Sequence, residues 1–173
     1  VGRGFNNVST LYAGGFNEDY YSSSDGTGTM YIVGGQPRAM QANLWEIPLQ
    51  ANTLQAPIAR GVLGDTCGGS CATDVYDFSP VSVFKSGGKE RLYVGIGKLA
   101  GRYLECRSGD CLFMYETDAL SRPKAALATF GGTGGIIIDN VGGSTGAAQV
   151  YFAHGGNADG SGNAVQASQA ALD

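Results

Sequence analysis

Histidine occurs once in the 173 residues, at His154, and tryptophan once, at Trp45. Prolines number 5, and charged residues make up 15% of the chain, against about 25% in an average soluble domain. Each scarcity excludes something. With one histidine and no C-x-x-C-H run, covalent haem attachment is excluded. A helical bundle or coiled coil would be rich in Glu, Lys, Leu and Arg, and this chain is not. No stretch approaches the roughly 20 apolar residues that carry a helix across a bilayer. The most apolar short run, Ile136 to Ile138, is strand-sized, so the chain is not expected to be transmembrane. No charged n-region followed by an apolar h-region opens the sequence, which begins at Val1 as a mature, processed or fragmentary chain would. No G-x-S-x-G nucleophile elbow is present. The net charge is -4, and the nearest thing to a basic cluster, Lys85, Lys89, Arg91 and Lys98, is broken by glycines and apolar residues. That is a solvated loop rim rather than a phosphate footprint, so no nucleic-acid partner is expected.

What is abundant is glycine, 29 residues of 173, alongside 43% hydrophobic residues. The glycines follow no three-residue period, which excludes collagen, and the apolar content is too high for a disordered tail. The composition predicts an all-β chain of short strands joined by Gly-rich turns. The length suffices for one sizeable core and not for two large domains.

Self-similarity sharpens this. Three apolar segments centre on a tyrosine: Thr29–Gly35, Arg91–Gly97 and Gln149–Gly156, with Tyr31, Tyr93 and Tyr151 standing 62 and 58 residues apart. Each is followed by a further strand, over Asn43–Leu49, Cys111–Glu116 and Asn163–Gln169. Each is preceded by another, over Asp19–Ser22, Phe78–Phe84 and Gly135–Asp139. Pro57–Leu63 and Lys124–Phe130 read as outer strands between the repeats. Four antiparallel strands per roughly 60 residues is the pattern of a β-propeller blade. The predicted fold is thus an antiparallel β-propeller segment of about three four-stranded blades, over residues 15–63, 76–130 and 133–173. Residues 1–14, with a strand over Val8–Ala13, would be the outer strand of a preceding blade. Gly34, Gly35, Gly95 and Gly97 are expected to end the second strands with positive φ. Gly131–Gly135 lacks the lysine of a phosphate loop and reads as a turn into the next inner strand.

The cysteines form two close pairs, Cys67/Cys71 and Cys106/Cys111, which allow three connectivities. Local bridges Cys67–Cys71 and Cys106–Cys111 would staple two loops in an oxidising, extracytoplasmic compartment. The rivals are a zinc site of four thiolates at C-x3-C and C-x4-C spacing, and free or cross-paired thiols.

No catalytic or cofactor-binding constellation stands out. His154 has no second histidine and reads as a strand-end residue. Asp159, Ser161 and Asn163 offer alternating oxygens faintly like a calcium loop, without its terminal Glu, and read as a turn. Carboxylates Asp65, Asp74, Asp77, Glu105, Asp110 and Asp139 fall near the loops, with nothing that pairs two of them. Trp45 with Tyr20, Tyr21 and Tyr103 offers aromatic faces for a sugar, although a tryptophan in a central strand is ordinarily core. Asn7-Val-Ser9 is a glycosylation sequon, meaningful only in a eukaryotic secretory pathway.

The ordered blocks Asp19-Tyr-Tyr, Met30–Gly35, Leu44–Leu49, Ser79-Pro-Val, Cys106…Cys111, Gly134–Asn140, Gln149–Phe152 and Ala164–Leu172 resemble the C-terminal blades of secreted, acidobacterial-type propeller-like proteins. The resemblance spans about Gly15 to Leu172. It implies a secreted or periplasmic chain preceded by further blades, with a Cys106–Cys111 clip and no catalytic residues. The family's cysteine directly before the Ser-Pro block is absent, and Cys67 and Cys71 stand upstream instead. Three blades are too few to close a ring. The expected function is therefore a non-enzymatic extracytoplasmic module for protein binding or complex assembly. It would be completed by remaining blades of the same protein, a protein partner or further copies. The alternatives are a carbohydrate-binding or hydrolytic propeller and a peripheral subunit of a membrane-bound or filamentous complex.

Overall fold

The computed structural model describes residues 13–35, 42–63, 77–97, 110–129, 131–140, 148–154 and 162–168. They build three antiparallel sheets in chain order and one short helix, which makes the chain all-β. Sheet one holds β1 (Gly15–Phe16), β2 (Gly28–Gly35), β3 (Ala42–Gln50), β4 (Thr53–Leu54) and β5 (Ile58–Val62). Sheet two holds β6 (Asp77–Phe78), β7 (Ser82–Ser86), β8 (Lys89–Gly97), β9 (Cys111–Glu116) and β10 (Ala125–Ala128). Sheet three holds β11 (Thr133–Asn140), β12 (Ala148–His154) and β13 (Asn163–Ser168).

Sheets one and two each fill four strand positions, because one position in each is broken. Both β4 and β5 pair with β3, at Leu49–Gln50 and at Asn43–Glu46, and Pro57 lies in the gap between them. Both β6 and β7 pair with β8, interrupted at Ser79-Pro80-Val81. A proline has no N–H for the ladder, so strands part there. Buried Ser79 makes good the loss. Its N–H donates to the Gly95 carbonyl at 2.9 Å, and its Oγ accepts the Gly95 N–H at 2.8 Å. Gly87 and Gly88, at φ 57° and 79°, close the two-residue turn between β7 and β8.

Strand alternation sorts the core into two layers. From β8 and β9, Leu92, Val94, Ile96, Phe113 and Tyr115 meet Tyr31, Val33 and Leu44 of sheet one. The intervening Tyr93, Leu112 and Met114 meet Ile136, Val150 and Phe152 of sheet three. Sheet two is sandwiched, which is why Cys111–Tyr115 are buried without a break.

Two expectations are corrected. Asp19–Ser22 is not a strand. Glu18–Ser22 forms helix α1, and β1 takes the strand position instead. Asn17 caps the helix: its Oδ1 accepts from the Tyr20 N–H at 3.2 Å and from the Thr29 N–H at 2.8 Å. Glu18 and Asp19 occupy the first turn, where the helix dipole favours acid. These local bonds outweigh the strand preference of Tyr20-Tyr21. Gly35 and Gly97 do end β2 and β8, with Gly34 and Gly95 just before them, but the left-handed glycines described are Gly26, Gly87, Gly88, Gly131 and Gly132. Gly95 is needed for close approach: a Cβ there would collide with Thr133 Oγ1 of sheet three. Of the Gly131–Gly135 segment, Gly131 and Gly132 turn the chain into β11, and Thr133–Gly135 already belong to that strand.

Candidate functional site

The first strand of each sheet is paired on one side only among the described residues, and these strands converge. β7 lies between β1 and β11. The Val81 N–H donates to the Ala13 carbonyl at 3.0 Å, tying sheet two to the chain entering sheet one. Ser82 Oγ donates to the Ile136 carbonyl at 2.9 Å, tying β7 to β11. Between the three strands lies a cavity of about 380 Å³ lined by Gly15 and Phe16, Val83 and Phe84, Ile136 and Ile138.

Tyr21 also lines this cavity and is 69% exposed. It is held by aromatic neighbours rather than by the core. Phe16 meets it edge-on at 6.4 Å between ring centroids, and Tyr20 does so at 5.7 Å. Phe16 and Tyr20 stack at 4.3 Å with planes 20° apart. The Asn17 cap fixes the helix that carries both tyrosines, and Gly28 lets it sit close, since a Cβ there would stand 2.6 Å from Tyr20 Cα. Among the described residues, no charged side chain lines the cavity.

A second cleft, of about 260 Å³, is charged, with Asp19, Lys85, Lys89, Glu90, Glu116 and Asp118 around it. Two of its carboxylates have close partners. Lys89 Nζ lies 2.8 Å from Glu116 Oε1, and Glu90 Oε1 accepts the Glu18 N–H at 2.7 Å. The Lys89 hydrogen bond lowers the Glu116 pKa from its ordinary value, and that same bond raises Lys89. Across sheet one, Arg60 Nε meets Glu46 Oε2 at 2.6 Å, which raises the Arg60 pKa. Burial, then Glu46 and Glu90 nearby, holds the Tyr31 phenol well above its ordinary value.

Among the described residues, the carboxylates singled out in the sequence, Asp77, Asp110 and Asp139, are not gathered into one site. Asp110 Oδ2 accepts the Gly131 N–H at 2.6 Å and fastens the turn between sheets two and three. Asp77 begins β6, Asp139 lies in β11, and Asp65, Asp74 and Glu105 lie outside the described residues. His154 ends β12, paired with Thr133 and Asn163. Asn163 begins β13, while Asp159 and Ser161 lie outside the described residues. Among the described residues, no three potential metal ligands come together. Trp45 is half-buried in β3 with its Nε1–H donated to the Gly34 carbonyl at 3.2 Å, and Tyr103 lies outside the described residues. Cys111 is buried, and Cys67, Cys71 and Cys106 lie outside the described residues. No described helix is long and apolar enough to cross a membrane.

Phe16 and Phe84 were not legible as site residues. The signal for the first was Asn17-Glu18-Asp19, a capping residue followed by acids, which announces a helix beside Phe16. Phe84 reaches the cavity only through sheet packing. Compared with known proteins, the chain matches no family model, no curated protein and no solved structure.

Proposed function

We propose that these residues are three consecutive blades of a β-propeller, acting without catalysis as an extracytoplasmic module that assembles with protein. One observation carries the reading. Tyr31 packs toward sheet two and Tyr93 toward sheet three. Tyr151, at the corresponding strand position, falls on the face of sheet three turned away from sheet two, beside Ile137, which is 69% exposed. The stacking rule that orders three sheets thus leaves a face where a fourth would sit. The occupant under this reading is a remaining blade, a further copy or a partner protein.

A Cys106–Cys111 clip beside a Cys67–Cys71 clip is the pairing we favour, and such clips would suit an oxidising compartment. The reading assigns no cofactor. Sedimentation velocity and thermal unfolding of the purified 173-residue chain test it. Concentration-dependent association is expected; a monodisperse, cooperatively melting monomer at all concentrations would count against it.

A further inference from the structure

We infer that the cavity between β1, β7 and β11 is a binding site for a neutral saccharide. Its volume, about 380 Å³, falls among small-molecule sites, which run from roughly 300 to 1,000 Å³. The ligand class follows from three features of the lining. First, Tyr21 offers an exposed ring that Phe16 and Tyr20 already hold in position, so little rotamer freedom is lost on stacking. A pyranose has one face of C–H groups that lies flat on such a ring while its hydroxyls point elsewhere. Second, the polar side chains among the described lining residues are Ser82 and Tyr21, both neutral hydroxyls suited to hydroxyl partners. Third, no charged side chain lines it among the described residues, which offer an anionic or cationic ligand no counter-charge.

A purely apolar ligand would bury the main-chain groups unpaired. An extended peptide adding to a strand edge fits less well. β1 is only Gly15–Phe16, and the β7 edge is already tied at Val81 and Ser82. The site does not depend on the assembly reading, since every lining residue belongs to this chain.

Saturation-transfer NMR with maltohexaose, cellohexaose, chitohexaose and mannohexaose tests the inference on the unmodified protein. At least one is expected to receive saturation, strongest at ring C–H protons. Tyr21→Ala should weaken that binding roughly tenfold or more, and Tyr21→Phe should hold it within about threefold. Tyr21 is mostly exposed, so neither change threatens folding. The inference is overturned by no transfer to any of the four sugars, by unchanged binding in Tyr21→Ala, or by stronger transfer to an oligogalacturonate than to any neutral sugar.

Discussion

Sheets two and three are built alike and buried differently. In β9, Cys111, Phe113 and Tyr115 serve one core layer and Leu112 and Met114 the other. In β12, Val150 and Phe152 serve the layer shared with sheet two. Gln149 and Tyr151 on the other face are only half-buried, and Ala153 is exposed. An unbroken apolar run therefore marks the middle of the stack, and strict alternation marks its end. Among the described residues, the outer face of sheet three carries no lysine or arginine: Gln149, Gln166, Ala153, Ala164 and Ile137 make up much of it, with Asp139 beside them. Under the proposed readings this face is where assembly would occur, whereas the cavity between β1, β7 and β11 is where a small ligand would sit.

The comparison is broken most directly in the middle sheet. Phe113→Ala should destabilise by about 3–5 kcal/mol, as large-to-small changes in a closed core do. The shift of denaturant midpoint at fixed protein concentration measures it. A cost below about 1 kcal/mol would show that sheet two is not sandwiched.

Next comes the contact between sheets two and three. Gly95→Ala should cost about 1–3 kcal/mol, because the added Cβ meets Thr133. Adding Thr133→Gly in the same chain should return much of that loss, and a double-mutant cycle reads the coupling. Simple additivity would mean the sheets do not meet there.

Smaller effects lie in sheet one. Asn17→Ala should cost about 1 kcal/mol through the lost helix cap, and the same variant should weaken sugar transfer by loosening Tyr21. Ala51→Gly should stabilise by about 1 kcal/mol, since Ala51 sits at φ 47° in the turn after β3. Urea unfolding distinguishes the two by sign.

The smallest effect is electrostatic. Glu116 is lowered in the fold, so its contribution is present above the ordinary value of 4.5 and fades as pH falls through the lowered one. Lys89 is raised from 10.5, so its share holds below that pH and fades as pH rises through the raised one. Both groups are exposed, so Lys89→Ala should make only a slight, salt-sensitive difference at neutral pH. A large one would mean that the charged cleft holds more of the fold together than its exposure allows.

Much of the fold was legible because strand periodicity is local. Cys111–Glu116 is marked by its apolar run, and the 62- and 58-residue tyrosine spacing marks the repeats. The helix at Glu18–Ser22 was obscured by two tyrosines with strand preference, whose weight a single capping asparagine reversed. The role of Gly95 was invisible, because what excludes a side chain there is Thr133 in another sheet. The cavity was hidden for the same reason. Phe16 and Tyr21 are distant in sequence from Phe84 and Ile138, and only the convergence of three first strands joins them.

Sedimentation velocity of the wild-type chain beside Ile137→Lys tests the central claim, that the outer face of sheet three continues the stack. The account predicts association that rises with concentration in the wild type and is strongly weakened by the buried charge, while the substituted chain keeps its sheet content. Equal association in both proteins, or a wild type that stays a single cooperatively folded monomer throughout, would contradict it.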